Sequence, residues 1–318
     1  MDAPLTISLV APVYGVEKYI SRFAESVLGQ SYPHIQFIFV NDGTKDRSIE
    51  LLNELIDSRF QHLRERITIV GKENGGLPAA RRTGMEYVSG DYVWHIDSDD
   101  WLEPDAVKRI AECALATGSD LIYFNFYKEY AGRTKLKVEA DYRIEDKTKY
   151  LKAMYNHRSY GCVWNKCVKT GLYRKYDIRF PQYSYAEDIF LMAQITGYAE
   201  SIYHLDEALY HYRKDNPQAI TRQNRRKRRA EAVRNSLALY ELYKDVPSDK
   251  CPVSVLFDDI FYRSGLYSLM YGLGLFEEFP YLSDNISRAS LHRGGDVWIP
   301  MQLLLKLYAF IRRFISRS

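Results

Sequence analysis

Residues 92–101 read Tyr92-Val93-Trp94-His95-Ile96-Asp97-Ser98-Asp99-Asp100-Trp101, an apolar run that ends in three carboxylates within four positions. A short run of aromatic and β-branched residues bounded by a polar cluster reads as a buried strand that stops at a turn. Working outward, comparable strands are expected at 6–11, 35–40, 67–70 and 121–126, with the present one at 92–96. Helical spacing of apolar residues falls between them at 17–28, 48–60, 78–88 and 104–116. Alternation of this kind specifies βαβ units and a mostly parallel sheet. Polar segments follow the strands: Pro12-Val13-Tyr14-Gly15, Asn41-Asp42-Gly43-Thr44 and the Asp97–Asp100 group. Ligands of open parallel sheets bind at that edge.

The 318 residues suffice for one large domain or two modest ones. Apolar residues at 46% and charged residues at 27%, with only 18 Gly and 11 Pro, exclude wholesale disorder, a collagen and a coiled coil. Net charge is +3, from 44 Lys/Arg against 41 Asp/Glu, so any basic surface is a local patch. Cys113, Cys162, Cys167 and Cys251 have neither C-x-x-C nor zinc spacing and read as buried reduced thiols. No basic segment precedes an apolar stretch at the N-terminus, and no apolar window reaches the ~20 residues a membrane span needs. A cytoplasmic protein is expected, soluble or peripheral at the inner face of the cell membrane.

Beyond about residue 130 the periodicity weakens; 133–142 is polar and extended, and from about Arg222 the chain reads mostly helical. The expected organisation is an α/β domain at 1–221 and a helical region at 222–318. A last helix at 299–316 gathers Leu304, Leu307, Tyr308, Ile311 and Ile315 on one face. With the basic run Arg222-Gln223-Asn224-Arg225-Arg226-Lys227-Arg228-Arg229 it suits an anionic leaflet, the plainer reading of the run being a solvated helix face. No interleaved aromatic platform supports nucleic acid as a partner.

Three negative charges in four residues repel one another, so a cation is expected beside them. A hard divalent ion, Mg²⁺ or Mn²⁺, held by one or two carboxylates and a substrate pyrophosphate, fits that donor chemistry. Taken alone, Ser98, Asp99 or Asp100 could instead cap the helix that follows. An aspartate at a strand end can likewise accept the imide N–H of a pyrimidine while a nearby aromatic stacks on it. Asp42-Gly43 is also an ordinary turn pair, and Tyr14 is one of 27 tyrosines. Clusters at the ends of several strands point to one shared ligand.

Val10-Ala11-Pro12-Val13-Tyr14-Gly15-Val16-Glu17, Phe39-Val40-Asn41-Asp42-Gly43-Thr44-Lys45-Asp46, Glu73-Asn74-Gly75-Gly76-Leu77-Pro78-Ala79-Ala80-Arg81 and Asp97-Ser98-Asp99-Asp100 resemble, in order and spacing, the nucleotide-sugar-binding half of family 2 glycosyltransferases. Val163-Trp164-Asn165-Lys166 and Tyr185-Ala186-Glu187-Asp188-Ile189 extend the match towards residue 222. The resemblance implies a Rossmann-like GT-A fold, with a nucleotide-sugar half at 1–130 and an acceptor half at 131–221. It further implies inverting, metal-dependent transfer from a nucleoside-diphosphate sugar, expected to be a UDP-sugar, to a glycan or polyprenyl-linked acceptor in cell-surface polysaccharide synthesis.

Position by position, it implies that Tyr14 stacks on the base, that Pro12, Val13 and Glu17 belong to the nucleotide pocket, and that Asp42 binds the base edge. Gly75 and Gly76 would let backbone approach the ribose and pyrophosphate, and Arg81 would contact phosphate or donor sugar. Asp97 would face the ribose or sugar, Asp99 would hold the metal, and Asp100 would either reinforce it or cap the helix. Asp188 would be the base, with Glu187 positioning acceptor or donor sugar. Trp164, Asn165 and Lys166 would line the sugar side, and His211 or Arg213 would reach the metal or diphosphate. Pro78 and Arg82 stand where the family often has Ser and Asn, which leaves donor choice open.

A nucleotide-sugar-binding protein without turnover is the alternative; it would be expected to lose Asp99 or Asp188, and both are present. A dinucleotide-dependent oxidoreductase is excluded because no G-x-G-x-x-G follows the first strand.

Overall fold

The computed structural model describes residues 4–222, 224–283 and 285. Their nine strands join in one sheet. β1 (Ile7–Val13), β2 (Ile35–Asn41), β3 (Ile67–Gly71) and β4 (Tyr92–His95) form its parallel half in the order β3-β2-β1-β4. Between them run α1 (Ile20–Leu28), α2 (Ser48–Arg59) and α3 (Leu77–Glu86), with α4 (Ala106–Thr117) after β4. These are the elements expected from the sequence; α1 starts later than expected because residues 16–19 form a turn closed by Tyr19 N–H on Val16 O.

Every residue of β1 is buried, as a parallel strand covered on both faces requires. Ile7, Leu9, Ala11 and Val13 share a core with α1, α2 and α4, while Val10 shares the opposite core with α3. α3 comes close to the sheet at Gly84, where an added Cβ would stand 2.4 Å from Val10 Cγ1. One turn before that contact, on the same helix, is Arg81.

Beyond β4 the sheet is mixed. β5 (Trp101–Leu102), β6 (Leu121–Tyr130), β7 (Arg133–Lys137), β8 (Lys166–Lys169) and β9 (Ile202–Arg213) continue the order as β4-β8-β6-β9-β5, with β7 on the side of β6. β8 is antiparallel to both neighbours, whereas β6 and β9 are parallel. β6 outruns its expected end because its last residues pair with β7, the polar extended segment.

α5 (Lys147–Tyr155), α6 (Thr170–Lys175) and α7 (Glu187–Tyr198) are followed by α8 (Arg225–Tyr243), α9 (Phe257–Tyr271) and α10 (Leu275–Glu278). Val233 and Leu237 of α8 enter the same core as Ile195 of α7 and Tyr150 of α5. The basic run opens α8, with the Asn224 side chain accepting from Arg226 N and Lys227 N. It is not simply a solvated stripe: Arg226 donates to Tyr271 O and Gly272 O, closing the end of α9. The helix expected at 299–316 lies outside the described residues. Among the described residues no helix is long and apolar enough to cross a membrane. All four cysteines are buried and free.

Candidate active site

The turn after β4 and the first turn of α7 meet at one side chain. Arg81 is fully buried; its Nη2 donates to Asp97 Oδ1 at 2.8 Å, and its Nη1 to Glu187 Oε1 at 2.7 Å and Asp188 Oδ1 at 3.0 Å. Burial alone would lower the Arg81 pKa, but Asp188, Asp97 and Glu187 outweigh it and hold the guanidinium protonated. One cation for three carboxylates leaves negative charge in excess. Burial, opposed by Arg81 but reinforced by Asp188 and Asp99, pushes Asp97 up to about 6. Burial, followed by Asp188, likewise raises Glu187 well above the usual carboxylate range. Arg81, expected to contact phosphate or donor sugar, is enclosed here and organises acids. Behind it, His95 is buried with both ring nitrogens unpartnered, as is Arg81 Nε. Burial and then Arg81 hold that imidazole down to about 3, so it is neutral.

The acid turn is braced from several sides. Ser98 Oγ donates to Pro12 O at 2.6 Å, tying the turn to β1. Asp99 is half-buried, accepts from Asn216 Nδ2 at 2.7 Å, and is raised by its burial. Asp100 is buried and accepts from Tyr210 O–H and Arg213 N, each at 2.7 Å. Burial, then Asp99 and Asp97, push Asp100 well up. Asp100 does not cap α4, whose N-cap is Asp105; it fastens β9 to the turn.

Strand alternation decides what β9 contributes. Tyr210 and Tyr212 lie against Trp164, so His211 points to the other face. There it stacks between Trp101 and Tyr127, and its ring nitrogens sit 2.7 Å from Glu129 Oε1 and Glu103 Oε1. His211, expected at the metal or diphosphate, is placed between Glu129 and Glu103 with both ring nitrogens engaged. Arg213 shares that face, 5.0 Å from the Trp101 ring and 4.7 Å from Tyr19, and its Nε donates to Asp99 O at 2.9 Å. It braces the backbone of the turn.

On the nucleotide side Tyr14 is 52% exposed, free to stack on a planar ligand. Pro12 and Val13 are buried within β1. Glu17 accepts from Arg47 N at 3.2 Å, at the start of α2. Asp42 Oδ1 accepts from Lys72 Nζ at 2.7 Å and Gly75 N at 2.9 Å, while Oδ2 accepts from Gly76 N at 2.9 Å. The base-edge residue and the glycine turn, expected to hold separate parts of a nucleotide, are here bonded to each other. Gly76 has φ +83°, and a Cβ there would stand 2.8 Å from Ser184 Oγ, so this turn abuts the loop leading to α7.

Trp164, Asn165 and Lys166 do not line an open sugar site; they are 4%, 0% and 1% exposed. Trp164 stacks on Tyr210 with centroids 4.7 Å apart. Asn165 Nδ2 donates to Phe124 O. Lys166 Nζ donates to Tyr160 O, Cys162 O and Asn165 Oδ1, and its burial lowers its pKa. Sequence reasoning missed Tyr210, Asn216 and Lys72. Only Tyr210 had a legible signal: in a strand it falls on the face opposite His211.

A sheet in this order, with acids beyond the ends of β2 and β4 and helices towards the C-terminus, is the GT-A architecture of glycosyltransferases. The chain belongs to glycosyl transferase family 2, whose model matches residues 8–178, ending before Glu187 and Asp188. It is similar to EpsH of Bacillus subtilis (strain 168), named as a glycosyltransferase, with 30% identity over 249 residues, 76% of this chain and 68% of EpsH. In fold it is similar to S. aureus TarS 1–349 in complex with UDP-GlcNAc, with TM-score 0.60 and 16% identity, covering 89% of this chain and 91% of that one. The mannosyltransferase PcManGT from Pyrobaculum calidifontis, in complex with GDP-Man and Mn²⁺, shares the fold with TM-score 0.56 and 14% identity, covering 98% of this chain and 81% of that one.

Proposed function

We propose that this glycosyltransferase is inverting and metal-dependent, moving a sugar from a UDP-sugar to a glycan or polyprenyl-linked glycan in cell-surface polysaccharide synthesis. The observation that supports it is the Arg81 bridge, which holds Asp97, two residues from Asp99, within one guanidinium of Asp188. Acids remote in sequence thereby meet at one guanidinium, and in this reading Asp99 serves the donor and Asp188 the acceptor.

Tyr14 stacks on the base at the cleft mouth. The half-buried carboxylate of Asp99 offers a hard oxygen, the donor type that Mn²⁺ or Mg²⁺ prefers. No three His, Cys, Asp or Glu side chains converge on a metal position among the described residues, so Asp99 would share the ion with oxygens of the donor's diphosphate. When bound, the ion supplies positive charge where the leaving diphosphate becomes more negative. Asp97, held by Arg81, orients the donor sugar. Asp188 takes the proton of the acceptor hydroxyl as that oxygen attacks the anomeric carbon in a single displacement. Glu187 accepts from Arg81 through Oε1 and fixes it. TarS in complex with UDP-GlcNAc, and PcManGT in complex with GDP-Man and Mn²⁺, support a nucleotide-sugar donor and a divalent ion.

A hydrolysis screen of UDP-, GDP- and dTDP-sugars with Mn²⁺ or Mg²⁺ tests this. The expected result is turnover of a UDP-sugar that EDTA abolishes. Undiminished turnover in EDTA contradicts the metal role, and turnover confined to a GDP- or dTDP-sugar contradicts the donor.

A further inference from the structure

A cavity of about 50 Å³ lies between the loop that opens α7 and the helices α8 and α9, lined in part by Tyr185, Ala186 and Ile189 on either side of Glu187-Asp188. That volume exceeds what one water needs and admits a small polyatomic group. Its polar lining is cationic. Arg229 of α8 lies 4.4 Å from the Tyr267 ring and donates to its hydroxyl at 3.2 Å. Arg263 of α9 lies 5.2 Å from the Tyr155 ring and donates to Asn156 Oδ1 at 2.9 Å.

Ion pairs among the described residues of this region are made by Lys227, Arg234 and Lys244, not by these two arginines. Glu231 pairs with Lys227 and accepts from Tyr185 N, and Asp259 accepts from Asn156 Nδ2. Ser264 lines the same cavity, 1% exposed, and its hydroxyl has no hydrogen-bond partner. His157, which also lines the cavity, is lowered first by its burial and then by Arg263 and Arg229. Arg229, Arg263 and Tyr267 are only half-buried, so the cavity reaches the surface.

We propose that this cavity is an oxyanion subsite for the acceptor, binding a phosphate or sugar carboxylate through Arg229, Arg263 and the Ser264 hydroxyl. Guanidinium groups suit both anions because they donate paired N–H groups. Tyr185 and Tyr267 offer ring faces to an attached sugar. The inference rests on the transferase reading, since it places an anionic part of the acceptor within one helical turn of Asp188.

The test is thermal melting of the full chain saturated with UDP and Mg²⁺, so that the donor site is filled. Inorganic phosphate and sodium glucuronate are titrated separately against sodium chloride at equal ionic strength. The expected result is a saturable rise in Tm with one of them, which identifies the phosphate or the carboxylate source. The rise is lost in Arg229→Gln and in Arg263→Gln, both of which keep the shift caused by UDP. Ser264→Ala, a smaller change to the fold, weakens the apparent anion affinity by roughly two- to tenfold. No rise beyond chloride, or variants that all respond as the parent does, overturns the subsite. Absence of a UDP shift while the anion effect persists counts instead against the donor reading.

Discussion

The turn after β4 and the first turn of α7 both carry clustered acids, yet they are fixed by different means. In the β4 turn, Asp99 and Asp100 are held by neutral donors: Asn216, the Tyr210 hydroxyl and the Arg213 backbone N–H. At α7, Glu187 and Asp188 are held by charge, through Arg81. Neutral donors position a carboxylate without cancelling its charge, which leaves it able to attract a cation. A shared guanidinium fixes orientation and partly cancels the charge. Substitutions in the first region should therefore register in metal and nucleotide binding, those in the second in turnover, and only Arg81 in both.

The largest expected effect is on chemistry. Asp188→Asn should lower the transfer rate by ~10²–10⁴, the usual contribution of a positioned base, measured as product formed per enzyme under saturating donor. Full activity would remove the base assignment. Next comes stability: Arg81→Met leaves three carboxylates around a buried apolar side chain and should cost about 3–5 kcal/mol by denaturant titration. Arg81→Lys should recover only part of this, because an ammonium cannot fork between Asp97 and the α7 pair. Unchanged stability in Arg81→Met would break the comparison, since the two turns would then hold together without the bridge.

A smaller effect concerns pH. Asp97 stands near 6 in the fold against an ordinary 3.8, so the native state binds its proton more tightly than the unfolded chain does. The stability this contributes is full below about pH 4 and is lost as pH rises through about 6. Asp97→Asn should flatten the melting temperature across that window, whereas an unaltered slope would place the titration elsewhere. The smallest effect is expected of His211→Gln, which acts on the Trp101 face and should leave metal-dependent nucleotide affinity unchanged. A marked loss there would return His211 to the metal.

The parallel half was legible because its signals are local. Each of β1, β2 and β4 is a mostly apolar, mostly buried run, and the polar cluster beyond it is contiguous in sequence. The mixed half hides its signals. β8, four residues long, takes its place between β4 and β6 only through partners far away in the chain. Val163-Trp164-Asn165-Lys166 was recognisable as a motif, but a motif does not state its burial, and Lys166 is satisfied inside the protein by carbonyls a few residues upstream. The fate of Arg81 depends on acids from two distant segments, which no local pattern reveals. His211 differs, since the two-residue period of a strand separates it from Tyr210 once β9 is recognised.

The central claim is a division of labour between Asp99 and Asp188 across one cleft. Calorimetric titration of UDP, with and without Mn²⁺, into the parent, Asp99→Asn and Asp188→Asn proteins tests it most directly. The account predicts that Asp99→Asn loses the Mn²⁺-dependent gain in affinity while Asp188→Asn keeps it within a few-fold. Equal loss in both proteins, or none in Asp99→Asn, would contradict it.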